Sequence, residues 1–168
     1  MPKVKQLTHL DDRGHARVVD VGDKPITRRR AEAQAIVRTT PEVAAAILER
    51  RVPKGDVAAV ARIAAIQGCK RTSELVPLCH PIGLTHVAVE VKVSRKGRVR
   101  VLVACECVGQ TGVEMEALTG ASVGALAIYD MIKGVDRGAS IRKVELLAKS
   151  GGRSGDWRRD QKPALSTP

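Results

Sequence analysis

TGVEMEALTGASVGALAIYDMIKG, residues 111–134, is the stretch from which the fold of this 168-residue chain can be inferred. It begins with Thr111 and, three residues later, Glu114, the spacing of a capping box that satisfies free amides in the first helical turn. The 13 residues at 117–129 carry no charge and many are small, so we predict a helix buried on most of its circumference. Gly134 is placed to end this helix in the left-handed conformation. An uncharged run this short cannot cross a bilayer, so the helix is predicted to lie in the core.

The charged residues of this predicted helix stand only at its two ends. Glu114 and Glu116 lie at the start, and Asp130 and Lys133 lie at the finish. Glu116 and Asp130 are 14 residues apart, which is about 21 Å along a helix axis. One small molecule cannot easily touch both from a single copy. A site that uses both is therefore expected to combine this helix with another segment or with a second subunit.

The charge balance favours an anionic partner. The chain has 29 Lys and Arg against 18 Asp and Glu, which gives a net charge of +11. With one Trp, one Tyr and no Phe, it lacks the stacking side chains with which single-strand nucleic-acid binders hold bases. The basic residues are spread along the chain and form no long run. We therefore predict a small polyphosphate ligand, with no nucleic-acid partner and no membrane.

The four cysteines, Cys69, Cys79, Cys105 and Cys107, are predicted to be free thiols. The chain starts without a signal-like apolar segment, which predicts a reducing, cytoplasmic location. Cys105 and Cys107 form a C-x-C that is compatible with half of a metal site, but no second Cys or His pair stands near it. In a strand both would point to the same face as Val99, so we favour buried hydrophobic side chains and predict no metal site.

Before the long helix, hydrophobic periodicity predicts one strand and two helices. Residues 26–38 alternate between small and polar side chains, which favours a strand, although the alanines leave a helix open. A first-turn proline starts a helix at residues 41–51, and Asp56 caps a second helix that finishes near Gly68. Residues 71–84 contain two prolines and a glycine and are predicted to form an ordered loop.

The remaining strands complete the fold. Residues 86–93 and 99–108 alternate clearly and are joined by a turn around Gly97, which predicts a hairpin with a valine-rich buried face. Residues 141–147 are predicted to form a last strand. Counting the first two helices as one crossover gives a β-α-β-β-α-β order. The predicted fold class is therefore α+β, with helices on one face of a four-stranded, mainly antiparallel sheet.

The two ends of the chain lack this periodicity. Residues 1–25 are predicted to be an N-terminal lead-in, residues 26–157 a single domain, and residues 158–168 a flexible C-terminal tail. Residues 149–153, KSGGR, are open to two interpretations. They are either a solvated basic segment or a loop whose backbone amides and cations close on phosphate.

A few residues outside the uncharged run stand where a site would need them. Lys54, in KGDV between two predicted helices, is on its own most simply a surface charge. His80 precedes Pro81, which restricts its backbone to an extended conformation and gives the side chain a defined direction. Glu116 has no capping role, which makes it the more interesting acid of its pair. Alternation sends Arg29 away from its two arginine neighbours and toward the alanine face.

Asp130 and Lys133 admit a structural and a functional interpretation. Their i, i+3 spacing fits a weak surface ion pair on one helix face. The functional interpretation is a lysine whose pKa is lowered by burial and neighbouring cations, acting as acid or base and oriented by the aspartate.

Several motifs in order resemble the MoaC family of molybdenum cofactor biosynthesis. The resemblance runs from about Leu7 to about Trp157 and rests on LTHLD near the start, VDV at 19–21, KGDV at 54–57, ARIAAIQGCKRT followed by ELVPLCHP through 81, TGVEMEALTGASV from 111, IYDMIK to 133 and LLAKSGG to 152.

This resemblance implies an enzyme, a lyase of the phosphorus–oxygen type. The family converts a cyclised dihydro-GTP, supplied by an upstream radical enzyme, into cyclic pyranopterin monophosphate and releases pyrophosphate. It also implies a ferredoxin-like subunit, a hexamer built as a trimer of dimers, and a site at a subunit interface. No cofactor is implied, although magnesium can accompany the triphosphate.

The resemblance also implies roles for individual residues, carried over by motif. Asp130 of IYDMIK, Lys54 of KGDV and Lys133 are implied to be catalytic. The residues implied to contact substrate are Leu78, Cys79, His80, Met115, Glu116, Glu114, Arg29 and Lys149. The register within the arginine run at 28–30 stays open by one residue.

Two other functions remain as alternatives at this point. The charge of +11 would also suit a non-catalytic binder of nucleotides or RNA, which the salt dependence of nucleic-acid binding would reveal. The second alternative is an enzyme that acts on GTP directly, which would turn over GTP alone.

Overall fold

A computed structural model describes residues 13–159 of the chain. The predicted tail and the first half of the predicted lead-in therefore lie mostly outside the described residues. The elements in chain order are β1 (Thr27–Arg38), α1 (Pro41–Leu48), α2 (Val57–Lys70), α3 (Thr72–Leu75), β2 (Leu84–Ser94), β3 (Arg98–Gly109), α4 (Glu114–Ile132), β4 (Ser140–Ser150) and β5 (Trp157–Arg158).

The strands form one antiparallel sheet in the order β2-β3-β1-β4-β5. The four long strands confirm the predicted α+β class, and the predicted hairpin is the β2–β3 pair. Alternation in β1 had the predicted effect, because Ala31, Ala33 and Ala35 are completely buried. The sheet differs from the prediction by one strand. Trp157 and Arg158, placed at the boundary of a flexible tail, instead pair with Lys149 and Ala148.

The helices lie on one face of the sheet, as predicted. α4 packs against α2 and covers β1, β3 and β4, while α2 reaches β2. Small residues permit this close approach: a Cβ added at Gly120 would lie 2.3 Å from Cys69 Sγ, and one at Gly124 would lie 3.0 Å from Val101 Cγ1. Among residues 13–159, no helix combines the length and hydropathy that a membrane crossing requires.

The capping interactions predicted for the two ends of α4 are both wrong. The helix begins at Glu114 after Val113, and no side chain caps it, so Thr111 and Glu114 do not form a capping box. Glu114 instead points to Lys149, with 3.5 Å between Oε1 and Nζ. At the other end Lys133 is right-handed and Gly134 does not adopt a positive φ, so the helix ends without a left-handed glycine.

The other boundaries differ less. α1 ends at Leu48 and not near residue 51, followed by Arg50 in the left-handed region at φ 54°. Asp56 caps α2 as predicted, its side chain accepting from the amide of Ala59 at 2.9 Å. The predicted loop at 71–84 contains the single helical turn of α3.

Candidate active site

A cationic pocket of about 620 Å³ opens where the start of β1 meets the loops that follow β3 and β4. β1 runs antiparallel to both neighbours, which sets Thr27 beside Gly109 and Arg30 beside Ser150. The ends of three central strands therefore converge at one edge of the sheet. The pocket is lined by Asp23, Lys24, Pro25, Thr27, Arg29, Arg30, Gln110, Thr111, Gly112, Glu114, and residues 149–154.

Arg29 is the arginine of the run that points from β1 to the helical side. Its guanidinium donates to the carbonyls of Gly109 and Gln110, each at 3.3 Å. Arg28 points to the opposite face, where it donates to Glu106 Oε2 at 2.6 Å, and Arg30 also pairs with Glu106. The geometry thus places Arg29 in the pocket with a free share of its donors, although Arg30 reaches the pocket rim.

The loop between β4 and β5, residues 150–156, forms one wall of the cationic pocket. Gly151 and Gly152 have φ of +87° and +78°, a conformation that L-residues with side chains rarely adopt. A Cβ added to Gly152 would lie 1.6 Å from Arg29 Nη1, so only glycine leaves room for the guanidinium. The structure gives this loop a defined backbone between β4 and β5, while its closing on phosphate stays a prediction.

A second pocket, of about 340 Å³, adjoins the first and holds the predicted substrate-contacting residues of LCHP and VEME. We call it the carboxyl pocket because Glu116 lies in it. Lys24, Thr111, Gly112 and Glu114 line both pockets, so the two form one continuous cleft. The other residues that line the carboxyl pocket are Val19, Val21, Leu78, Cys79, His80, Ile82 and Met115.

His80 is held in place from the N-terminal segment. Its Nε2 lies 2.8 Å from the carbonyl of Val19, so the ring donates from Nε2 and, when neutral, leaves Nδ1 as an acceptor. Val19 belongs to the VDV motif in the predicted lead-in. Part of the N-terminal segment therefore contributes to the cleft.

Glu116 is the buried acid of the cleft. Only 4% of the residue is exposed, and no ion pair joins its carboxyl to any part of the chain that the structure describes. Burial raises the pKa of Glu116 to about 7, with the negative charge of Glu114 adding to the effect against a lowering by its own backbone amide. Burial raises the pKa of Cys79 as well, and the negative charge of the nearby Glu116 raises it further. Glu116 can therefore exchange a proton near neutral pH.

The three predicted catalytic residues meet in a second cluster, here called the lysine cluster. Lys54 Nζ lies 3.0 Å from Asp130 Oδ2 and 2.8 Å from the Asp130 carbonyl, and Lys133 Nζ lies 2.7 Å from Asp130 Oδ1. All three side chains are about half exposed. Gly55, at φ +102°, gives the turn that brings Lys54 from the loop between α1 and α2 to the end of α4.

The electrostatics of the lysine cluster correct one prediction. The hydrogen bonds from Lys133 and then Lys54 hold the pKa of Asp130 below its usual range. In return Asp130 raises the pKa of Lys133. The prediction of a lowered pKa was wrong for Lys133, because the ionised carboxylate of Asp130 lies against its ammonium group and the side chain is not buried.

The two groups of predicted site residues lie at opposite ends of α4. Glu114, Met115 and Glu116 occupy its first turn and Asp130 its last. One copy of the chain therefore assembles the cleft and the lysine cluster separately and does not bring them together. No residue of the lysine cluster lines the cationic or the carboxyl pocket.

Sequence reasoning missed several residues that line the cleft. Lys24 stands where the two pockets join. Arg153 was not missed, because it belongs to the KSGGR segment considered as a phosphate loop, and it adds a cation to the cationic pocket. Gln110, Thr111 and Gly112 line it through the loop between β3 and α4. Lys24 follows the quoted VDV motif by three positions, and that proximity was the one signal available.

The C-x-C cysteines are core residues, as predicted. Cys105 and Cys107 are at most 1% exposed, and Cys105 Sγ lies 3.6 Å from Cys69 Sγ. All four cysteines are free thiols. Within residues 13–159, no three His, Cys, Asp or Glu side chains converge as metal ligands.

Comparison with known proteins gives a consistent result. A family model described as the MoaC family matches residues 18–152. Two curated relatives named cyclic pyranopterin monophosphate synthase, from two strains of Chloroflexus aurantiacus, are each 52% identical over 155 residues, which cover 92% of this chain and 95% of each relative. A solved complex of a ferredoxin protease FusC mutant with Arabidopsis ferredoxin aligns at a TM-score of 0.32 and 14% identity, over 64% of this chain and 10% of that one. That similarity is too weak to carry an argument.

Proposed function

The chain belongs to the MoaC family, and from this membership we propose that it is a cyclic pyranopterin monophosphate synthase. In this reaction a cyclised dihydro-GTP is converted to cyclic pyranopterin monophosphate and pyrophosphate, within the synthesis of the molybdenum cofactor. The protein is an enzyme on this proposal, and specifically a pyrophosphate-releasing lyase.

The polarity of the cleft is the observation that carries the proposal. One end presents Arg29, Lys149 and the glycine-rich loop, which suit a triphosphate. The other end presents Glu116, Cys79 and His80 within a partly apolar pocket, which suits an uncharged heterocycle. A nucleotide-derived triphosphate has this division of charge, so its two ends match the two pockets.

The phosphate step assigns work to the cationic pocket. A ribose-derived hydroxyl oxygen attacks the α-phosphorus, the bond from that phosphorus to the bridging oxygen breaks, and pyrophosphate leaves with the bond's electrons. Negative charge grows on the leaving group, and preorganised cations stabilise it most in the transition state. Arg29 and Lys149 are the groups assigned to that task, and Lys133 joins them if it comes from a second copy.

The ring rearrangement needs proton transfers at several nitrogens and one ribose-derived carbon. Glu116, with its pKa raised to about 7, is suited to exchange a proton with the heterocycle. Lys54 and Lys133 are assigned further acid and base steps, oriented by Asp130. In an assembled site, the triphosphate would compete with Asp130 for these lysines and alter their proton affinity.

The separation of the lysine cluster from the cleft supports an active site shared between copies. A substrate in the cleft cannot reach the lysine cluster of the same chain, because α4 stands between them. We propose that the lysine cluster of a second copy completes the cleft, in a homo-oligomer assembled as a hexameric trimer of dimers. The half-exposed lysine cluster leaves room for such a partner.

Several further features belong to the proposal. On this proposal an upstream enzyme that cyclises GTP by radical chemistry supplies the substrate. The reaction is expected to need no resident cofactor, with magnesium accompanying the triphosphate. The free thiols fit a reducing, cytoplasmic setting.

The direct test is pyrophosphate release from the purified full chain given cyclised dihydro-GTP, with GTP alone as the control. We expect pyrophosphate and a pterin product from the cyclised compound only. Turnover of GTP alone would replace this proposal with a GTP-processing enzyme. Folded protein that turns over neither compound would contradict the synthase function. Nothing in the cleft favours a non-catalytic RNA binder, since no Trp, Tyr or Phe lines either pocket to stack on a base.

A further inference from the structure

The β4–β5 loop, residues 150–156, does more than border the cationic pocket. It supplies residues 150–154 as lining, and Gly152 lies directly against the Arg29 guanidinium. A glycine-rich segment of this kind is flexible in isolation, so ordering it around an anion would cost conformational entropy. Contacts that hold the loop in place before the ligand binds would remove this cost.

The segment after the loop is too short to hold it by backbone pairing alone, because β5 has only two residues. Arg159 adds the missing contacts. Its amide donates to the Leu147 carbonyl and its Nε to the Leu146 carbonyl, each at 2.8 Å. Nε also lies 3.3 Å from Oε2 of the buried Glu145. The guanidinium carbon stands 5.5 Å from the centre of the Trp157 ring, within reach of a cation–π contact.

The loop is also closed across its mouth. Asp156 Oδ1 accepts from the amide of Gly151 at 3.1 Å, and the amide of Gly155 donates to the carbonyl of Gly152 at 3.1 Å. Lys149 reaches Ser154 from the strand before the loop. β4 therefore fixes one end, Arg159 fixes the other, and Asp156 joins the two.

We propose that Arg159 and Asp156 are positioning residues that hold the β4–β5 loop in its ligand-ready shape over the cationic pocket, so that the triphosphate binds without first ordering the loop. Neither residue lines the cationic pocket. The inference rests on the proposed function for the identity of the ligand. It concerns ground-state binding of the phosphates, so it predicts a change in KM and not in kcat.

The first test compares Arg159→Ala with Arg158→Ala in the full chain. Both variants remove one positive charge from the same stretch. The Arg159 side chain contacts Leu146, Glu145 and Trp157, whereas no hydrogen bond or ion pair joins the Arg158 side chain to another residue within 13–159. The probe is inorganic tripolyphosphate, followed by calorimetry. We expect the Kd of Arg159→Ala to rise about tenfold, and that of Arg158→Ala to change by less than about twofold. Equal weakening in both variants would mean that charge alone acts, and no weakening in Arg159→Ala would also overturn the inference.

The second test uses Asp156, where charge and positioning predict opposite signs. Asp156→Ala removes a negative charge near an anion site, which by electrostatics alone would tighten tripolyphosphate binding. It also removes the acceptor for the Gly151 amide, and we expect the Kd to rise about fivefold for that reason. Asp156→Asn keeps an acceptor oxygen and loses the same charge, so it should bind at least as tightly as the unmodified protein. Tighter binding by Asp156→Ala would refute the positioning role even if Arg159→Ala failed to fold.

Turnover separates this inference from the proposed function. With cyclised dihydro-GTP, Arg159→Ala should show a raised KM with kcat within about twofold of the unmodified enzyme. If the unmodified chain turns over no substrate but its tripolyphosphate affinity depends on Arg159 and Asp156, the proposed function fails and the positioning role stands. If turnover occurs and both affinities are unchanged in the variants, the positioning role fails alone.

Discussion

The two ends of α4 carry carboxyl groups in opposite electrostatic states. Glu116, in the first turn, is 4% exposed, and burial raises its pKa to about 7. Asp130, in the last turn, is about half exposed, and hydrogen bonds from Lys133 and Lys54 lower its pKa. The positive end of the helix dipole should favour a negative charge at Glu116 and not at Asp130. Local burial and local cations therefore outweigh the dipole at both ends.

This difference assigns different tasks to the two ends. Glu116 forms no ion pair within residues 13–159, and its carboxyl can change its protonation state near neutral pH. Asp130 has a lowered pKa, stays ionised, contacts Lys54 and Lys133, and raises the pKa of Lys133. We propose that the first end exchanges a proton and the second holds positive charge, in a reaction that has both proton and phosphate steps. Four predictions test this division, in order of decreasing effect.

Removing either side of the lysine cluster should have the largest effect. We expect Asp130→Ala and Lys54→Ala each to lower kcat by about 100-fold to 10,000-fold, the usual contribution of a positioned acid or base. The fold should stay intact because exposed ion pairs contribute little to stability. Steady-state pyrophosphate release and thermal unfolding measure the two effects.

The matched control is Lys92→Ala. Lys92 is also about half exposed and pairs with Glu90 at 3.2 Å, but it lies on β2 away from both clusters. It should turn over normally. An Asp130→Ala or Lys54→Ala enzyme at the unmodified rate would remove that residue from the catalytic assignment.

Mixing variants tests whether the two ends of α4 meet across copies. Glu116→Ala and Asp130→Ala chains, each inactive alone, are co-expressed so that mixed dimers form. In a shared site, a mixed dimer has one site with both groups intact, so activity should return to about a quarter of the unmodified value.

The control pair is Lys54→Ala with Asp130→Ala, because both substitutions fall in the same cluster and no mixed dimer has an intact one. It should show no recovery. Absence of recovery in the Glu116→Ala and Asp130→Ala mixture, with mixed dimers confirmed by mass spectrometry, would argue that each chain builds its site alone. The two ends of α4 would then need separate functions.

The cleft end can be disturbed without touching an ionisable group. Gly152→Ala places a Cβ against the Arg29 guanidinium at a positive φ, so we expect KM for the cyclised substrate to rise about tenfold. Gly155→Ala is the matched control, since Gly155 has φ +65° but nothing within 4 Å of an added Cβ. It carries the backbone strain without the clash. A similar KM in both variants would show that strain in the loop, and not the position of Arg29, controls phosphate binding.

The smallest expected effect concerns stability and pH. A carboxyl whose pKa is raised on folding binds more protons in the native state than in the unfolded one between about pH 4.5 and about pH 7. Stability contributed by Glu116 therefore falls as pH rises through that interval. Glu116→Gln removes this cost and should be more stable than the unmodified protein at pH 8 by about 3 kcal/mol, with no gain at pH 4. Denaturant unfolding at both pH values measures it.

Asp130→Asn supplies the opposite sign for comparison. The lowered pKa of Asp130 contributes stability at neutral pH that is lost as pH falls through the folded-state pKa, so the variant should gain nothing at pH 8. If Glu116→Gln were less stable than the unmodified protein at pH 8, the Glu116 carboxylate would have a stabilising partner, and the contrast between the two ends of α4 would be lost.

Much of this molecule follows from local sequence. Alternation in β1 determined which residues face the helices, including the direction of Arg29, because successive side chains of a strand point to opposite faces. Asp56 was identified as a cap from its side chain alone, and the small residues of α4 predicted its close packing. The motifs carried the family, and with it the residues assigned to substrate.

Tertiary structure decided the rest. The predicted capping box at Thr111 and Glu114 was wrong because Glu114 turns to Lys149, which is distant in sequence. The left-handed conformation predicted for Gly134 was wrong because the helix ends without a left-handed residue. Lys24 has only its proximity to the VDV motif as a local signal, since it reaches the cleft where strand ends converge. The anchor at Arg159 likewise exists only because β5 returns to β4.

The sequence by itself determined the α+β class, the order of the long strands and the identity of the charged groups. Only the tertiary structure decided their electrostatic state, because a pKa depends on burial and on neighbours that the chain brings together from afar. Glu116 and Asp130 are both acids at the ends of one uncharged helix in the sequence. Folding buries Glu116, which forms no ion pair within the described residues, and leaves Asp130 half exposed between Lys54 and Lys133.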